Sequence, residues 1–274
     1  MRRVIASLAF LFLLPLPALA CDLQIVGRPL AVASYVEGAR PCLDRPPAGY
    51  AFDETLEGRF LELINAERKA AGLPALKLRP ELRDAARLHS LDMAVNGFFG
   101  HVGPDGRGHG ERIAALDRTA LADFSAENVA TVSRPGARIG ANFAVKRLHR
   151  NLMDSPSHRE NILHPKATHV AFGVARTESG VWVTQLFMRV SGTLPRAAPL
   201  RVSAAQALEG RPAGLEGWRF VRYDMVAPSG EPVPAGGARA GRDARLAAYA
   251  TQPGDDPLSY YWMRFPGPAV TITN

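Results

Sequence analysis

Beyond residue 20 the sequence has no apolar run near the roughly 18 residues of a membrane-spanning helix, which excludes a transmembrane segment from the mature chain. It has no internal repeat at solenoid periods. Lysine is scarce. Arginine far outnumbers it among the 33 basic residues and is scattered along the chain, a pattern of general surface charge that argues against a nucleic-acid groove. There is no Gly-x-Ser-x-Gly nucleophile elbow. Cysteine is limited to Cys21 and Cys42, which most simply pair, so no thiol is free to attack a substrate.

What the first residues do contain is the three-part layout of an export signal. Arg2 and Arg3 form a positive start, Ile5 to Leu19 an apolar stretch, and Ala18-Leu19-Ala20 an A-x-A cleavage site. Residues 1–20 are therefore read as a signal peptide, and the mature protein is expected to be secreted or periplasmic. Removing Arg2 and Arg3 lowers the formal charge from +7 to +5. In an oxidising compartment Cys21 and Cys42 would close a loop of about twenty residues, stabilising the fold by roughly 3 kcal/mol. A lipid anchor on Cys21 is the lesser alternative. Ala18 stands where such anchors usually carry Leu, and Cys42 would be left unpaired.

Four segments follow the signal. Residues 21–54 read as irregular and rich in Pro and Gly. Residues 55–190 hold the strong helical periodicity and all seven histidines. Residues 191–216 read as a linker, and 217–274 as a small β-rich appendage whose runs are split by Pro/Gly turns. Inside 55–190 the spacing predicts a helix capped by Thr55, a second from Pro80 to Gly97, a short one at 111–116 and a fourth over 137–153. The runs 169–176 and 181–190 read as a hairpin. Helices first and a hairpin last point to an α+β layered domain.

Chemistry-bearing residues cluster where helices end. His101 follows Phe98-Phe99-Gly100 at a loop mouth, Glu127 lies among small apolar neighbours, and His158 opens a short helical turn. Two imidazoles and a carboxylate suit a divalent metal, zinc first, and that is the one cofactor these donors suggest. Each also has a structural reading, as a loop pin or a buried carboxylate satisfied by backbone. Arg159 is an attractive partner for Glu127. His89, on the apolar face of the second helix, reads as a satisfied core histidine. His109, His149, His164 and His169 read as surface or capping residues.

The series His101-Val102-Gly103-Pro104-Asp105-Gly106, Ala126-Glu127-Asn128, Ser155 to Leu163, Gly173-Val174-Ala175 and Trp182 to Phe187 resembles the CAP (SCP-like) superfamily, and most closely its bacterial secreted branch. The match covers roughly residues 57–190. It implies a three-layer α-β-α sandwich with a cleft lined by His101, Glu127 and His158. Many members add a second Glu before the last His. Here that Glu is missing, the nearest carboxylate being Asp154, so a four-residue tetrad is not expected and two His with one Glu remain; Ala126 also replaces a usual Gly. Asn128 and Gln185 are added as candidate cleft residues, although both have loop-tying or hydrogen-bonding readings of their own. The resemblance implies a cleft that binds a small ligand, with an envelope component as the other candidate partner, and no established reaction. A His/Glu- or metal-dependent hydrolase of peptides or esters and a structural envelope role are the alternatives. The chain is read as a monomer without nucleic-acid partners.

Overall fold

The structure is a computed structural model that describes residues 21–23, 30–203, 209–227, 231, 233, 240–256 and 258–273. The export signal read at residues 1–20 lies outside them. Cys21 and Cys42 are joined in a disulfide with a Cα–Cα distance of 4.5 Å. Residues 21–54 are not irregular throughout. They form helices α1 (Val32–Ala39) and α2 (Pro41–Asp44) before the short strand β1 (Ala51–Phe52). Val32, Ala33, Tyr35, Val36 and Ala39 make one buried stripe on α1 at helical spacing. What the local sequence lacks is a cap. It comes from far along the chain, where Asp243 accepts the Val32 N–H at 3.0 Å and the Thr271 hydroxyl accepts the Ala33 N–H at 3.0 Å.

Helix α3 (Glu54–Ala70) is capped by Asp53, whose carboxylate accepts the Leu56 N–H at 3.0 Å, and not by Thr55. After β2 (Lys77–Leu78), helix α4 (Pro80–Asn96) starts on a proline and stops at Gly97, where φ is 68°. Helix α5 spans His109–Leu116 and is followed by β3 (Ala120–Ser133), a long strand absent from the sequence reading. Helices α6 (Ala141–Asp154) and α7 (Pro156–Ile162) then lead into the expected hairpin, β4 (His169–Arg176) and β5 (Gly180–Thr193).

The first sheet runs β1-β4-β5-β3, with β2 added to β4 and a later two-residue strand, Ala213–Gly214, to β5. Its two faces are separate cores. Ala171, Ala175, Leu186 and Met188 pack against α1, α4 and α5, while Val170, Phe172, Val183 and Phe187 pack against α3 and α6. The result is the α+β, three-layer α-β-α sandwich. Gly173 is the closest approach between layers: a Cβ there would overlap the backbone of Ala86 and Arg87 in α4. The Ser90 hydroxyl spans the same contact by donating to the Gly173 carbonyl at 2.8 Å.

The segment after β5 is more ordered than a linker. Strand β6 (Arg201–Ser203) joins the second sheet and β7 (Ala213–Gly214) the first, followed by β8 (Arg219–Val226), β9 (Asp243–Pro253) and β10 (Tyr260–Thr273). Pro266, Gly267 and Pro268 do not split β10, which runs through them with a register shift between Pro266 and Ala269. This sheet is ordered β6-β10-β9-β8. It is bound to the sandwich by Arg118, which donates to Ala114, Ala115, Ala198, Pro199 and Ala269 carbonyls. Among the described residues no helix is long and apolar enough to cross a membrane.

Candidate functional site

The site sits at the free edge of β3, where α4, α5 and α7 converge. Helix α4 ends at Gly97, and the turn that follows is pinned from inside by His89. Its Nε2 lies 2.9 Å from the Gly100 carbonyl, and its ring packs on Phe98 with 5.9 Å between centroids. This delivers His101 to the mouth. Its side chain is 51% exposed, and its Nδ1 lies 2.9 Å from Oε1 of Glu127.

Glu127 is buried on the face of β3 that looks toward α4 and α5. Both of its oxygens are engaged. Oε1 meets His101, and Oε2 accepts from Arg112 Nη2 at 2.6 Å. The partner suggested by sequence, Arg159, is exposed on α7 instead. Arg112, one turn into α5, also donates to the His101 carbonyl at 3.1 Å and to the Arg107 carbonyl at 2.6 Å. One guanidinium thus holds the carboxylate and the loop that carries the imidazole.

These contacts set the charges. Burial raises the Glu127 carboxyl, but the hydrogen bond from His101 and the Arg112 charge outweigh it and hold the group ionised. The same hydrogen bond to Glu127 raises His101 above its ordinary value, against burial. His89, 3.8 Å from Glu127, is driven by burial down to about 4 and stays neutral. His158 is lowered by burial and by the nearby His101 charge, and its Nδ1 is buried with no partner among the described residues. His109, at the start of α5, faces the same carboxylate and bonds the Ser125 backbone, with burial lowering it. It therefore belongs to the site's surroundings and not to the surface.

Of the candidate residues, His101 and Glu127 are in direct contact, and His158 lies close enough to feel the His101 charge. Asn128 and Gln185 point to the other face of the sheet. Both are fully buried, and the Asn128 amide donates to Gln185 Oε1 at 3.1 Å and to the His158 carbonyl at 3.0 Å. Asn161 donates to Asn128 Oδ1 at 2.9 Å and completes the chain. These amides fix α7 against β3 and so fix the backbone of His158, without reaching the cleft. Arg68 holds the other end of α7 through the Ile162 and His164 carbonyls, each at 3.0 Å. Asp154 is exposed at the end of α6 and does not stand in for the missing Glu. His149 is buried beside Glu67, not on the surface.

The donor set is not that of a zinc centre with three protein ligands. Glu127 is neutralised by Arg112 and spends its other oxygen orienting His101, as an outer carboxylate does. That leaves two imidazoles, and among the described residues no group of three His, Cys, Asp or Glu is placed to hold a metal. Behind Arg112 lies a cavity of about 10 Å³, lined by Tyr35, His89, Asp92, Asp105 and Arg112 among others and sized for a single water. Burial pushes Asp92 there up to about 6.

Residues 61–187 match the family model described as CAP, the cysteine-rich secretory protein family. The chain carries a CAP domain. Over 133 residues the protein is 32% identical to the uncharacterized protein YkwD of Bacillus subtilis (strain 168), covering 48% of this chain and 46% of that relative. The chain thus spans about half the length of that relative. Among solved structures, an extracellular protein containing an SCP domain from Bacillus anthracis str. Ames aligns with a TM-score of 0.43 and 24% identity, over 50% of this chain and 41% of that one. An outer surface protein from Borrelia burgdorferi aligns with a TM-score of 0.40 and 20% identity, over 48% of this chain and 91% of that one. In this CAP domain Arg112, His89 and His109 are the site residues that sequence reasoning missed. Arg112 lies within the short helix α5, which follows a loop, and no local motif ties it to a carboxylate fifteen positions on.

Proposed function

We propose that the protein is a secreted or periplasmic binding protein, monomeric, whose CAP cleft holds a small anionic ligand with an apolar portion. The observation that carries this reading is the half-exposed His101, whose Nδ1 is committed to Glu127 while Phe99 and Val102 on either side are each 57% exposed. The committed Nδ1 leaves Nε2 as the ring donor for a ligand. When His101 is protonated the cluster has two cations, His101 and Arg112, against one carboxylate. An anionic head on the imidazolium and an apolar tail over Phe99 and Val102 satisfy both features.

Export rests on the signal read at residues 1–20 and agrees with a disulfide-bonded Cys21. With its sulfur bonded to Cys42, Cys21 is not a lipid attachment point in this reading. No reaction is proposed. A hydrolase would use such a His–Glu pair as base and orienter, but among the described residues neither His101 nor His158 is hydrogen-bonded to a hydroxyl or thiol.

Titration calorimetry with octanoate tests the reading. Binding should be measurable at about pH 5.5, where His101 is charged, and weaken strongly by about pH 9. It should be lost in His101→Ala and weakened in Phe99→Ala. Equal affinity in wild type and His101→Ala, or no pH dependence, overturns it.

A further inference from the structure

The second sheet has an inner and an outer face that differ in chemistry. Ala244, Leu246, Ala248 and Ala250 of β9 point inward and form a core with Phe265 and Ile272. The alternate residues point outward. Two rows cross this outer face: Arg219, Thr251 and Trp262 in one, and Arg222, Tyr249 and Arg264 in the next. Tyr260 extends the β10 edge opposite Pro253. At the other end of the sheet, α5 packs on β10, so the aromatic end is the free one.

We propose that this outer face binds an anionic polysaccharide. Trp262 is 59% and Tyr260 55% exposed, two large rings on one side of one strand, about 7 Å apart along it. Such rings are normally buried, and a run of them in water marks a contact surface. The cations are interleaved with the rings. The Arg222 guanidinium lies 5.0 Å above the Tyr249 ring centroid, and its Nε pairs at 2.9 Å with Asp224, which stands opposite Ala247 in the adjoining row. Between Arg219 and Trp262 the Thr251 hydroxyl is buried and has no partner among the described residues.

Flat aromatic faces pack on the C–H faces of pyranose rings with little loss of side-chain freedom, and arginine forks pair with carboxylate or phosphate substituents. An anionic sugar chain offers both along one strand. A lipid bilayer fits less well. The β9–β10 tip that would enter it carries Asp255 and Asp256 beside the exposed Leu258, so its leading end is negative while the cations lie back on the flat face. Nucleic acid would also stack on these rings. The Cys21–Cys42 disulfide, however, belongs to an oxidising compartment, where sugar polymers are the abundant polyanions.

Affinity electrophoresis of the full chain tests the proposal, with polygalacturonate in the gel and neutral dextran as the reference. Retardation should appear with polygalacturonate alone and weaken roughly tenfold or more in the double variant Trp262→Ala, Arg222→Ala. Both residues are at the surface, and an unchanged circular-dichroism spectrum confirms folding. Arg196→Ala, which removes an exposed charge elsewhere, should bind like wild type. Four outcomes overturn the proposal: equal retardation by dextran, undiminished binding by the folded double variant, an equal loss in Arg196→Ala, or tighter binding to phosphatidylglycerol vesicles or single-stranded DNA than to polygalacturonate.

Discussion

Arg112 and Glu127 meet through a 2.6 Å bond from Nη2 to Oε2, with both side chains almost wholly buried. Because the same nitrogen also reaches the His101 carbonyl, the pair sets the carboxylate and the loop in one geometry. His101 then closes the arrangement from the solvent side.

Removing Arg112 should therefore do more than delete a charge. Arg112→Met leaves a buried carboxylate without its cation, a change expected to lower stability by about 3 to 5 kcal/mol in urea unfolding. Arg112 also holds the His101 pKa down. In the folded fraction of the variant, His101 should titrate at a higher pH by NMR. A lower value would place the control of His101 elsewhere.

Asp92 gives a test at pH extremes. Its carboxyl, raised by burial to about 6, prefers the protonated form in the folded state, so its contribution is present at low pH and lost as pH climbs from about 4 to 6. Asp92→Asn should be more stable than wild type at about pH 8, by on the order of 2 kcal/mol, with the advantage gone near pH 4. His89 works in the opposite sense. Lowered to about 4, it removes stability as pH falls from about 6.5. Urea midpoints should accordingly vary less across this window in wild type than in the variant, where His89 acts unopposed.

Gly173→Ala and Gly58→Ala should behave in opposite ways. A Cβ at Gly173 overlaps the α4 backbone, which no side-chain rotation relieves, so that variant should be insoluble or lose more than about 4 kcal/mol. At Gly58, within α3, a Cβ meets nothing within 4 Å, and alanine should raise the thermal midpoint by the equivalent of about 0.5 to 1 kcal/mol. Thermal melts of the two variants decide it.

Replacing both Cys21 and Cys42 by serine should lower stability by roughly 3 kcal/mol while leaving the His101 titration in place. The disulfide anchors the segment ahead of α1, whose Leu23 lines the cavity behind Arg112, while the His101 titration is set by Glu127 and Arg112. A shift of His101 in the double variant would mean that the N-terminal helices help to shape the cleft.

Helices with strong local signals were legible in the sequence: α4 announced itself by Pro80 and Gly97, and the β4–β5 hairpin by its turn. Strand β3 was not. It carries Asp123, Ser125, Glu127 and Asn128, residue types of low strand propensity, and it is stabilised by pairing along β5. Helix α1 was missed for a related reason, since its cap is supplied by Asp243. At the site, motif order identified His101, Glu127 and His158. Strand parity then divides Glu127 from Asn128, and that division could be drawn only once β3 was known to be a strand.

The cap on α1 has a consequence for the order in which the molecule is made. Val32 emerges from the ribosome long before Asp243, which follows 211 positions later, and Ala33 precedes Thr271 by 238. Until then the first helix has no fixed start, and the layer it covers is incomplete. A stretch translated late is what locks this early helix, so a chain terminated before Asp243 would be left with α1 uncapped and exposed to proteases.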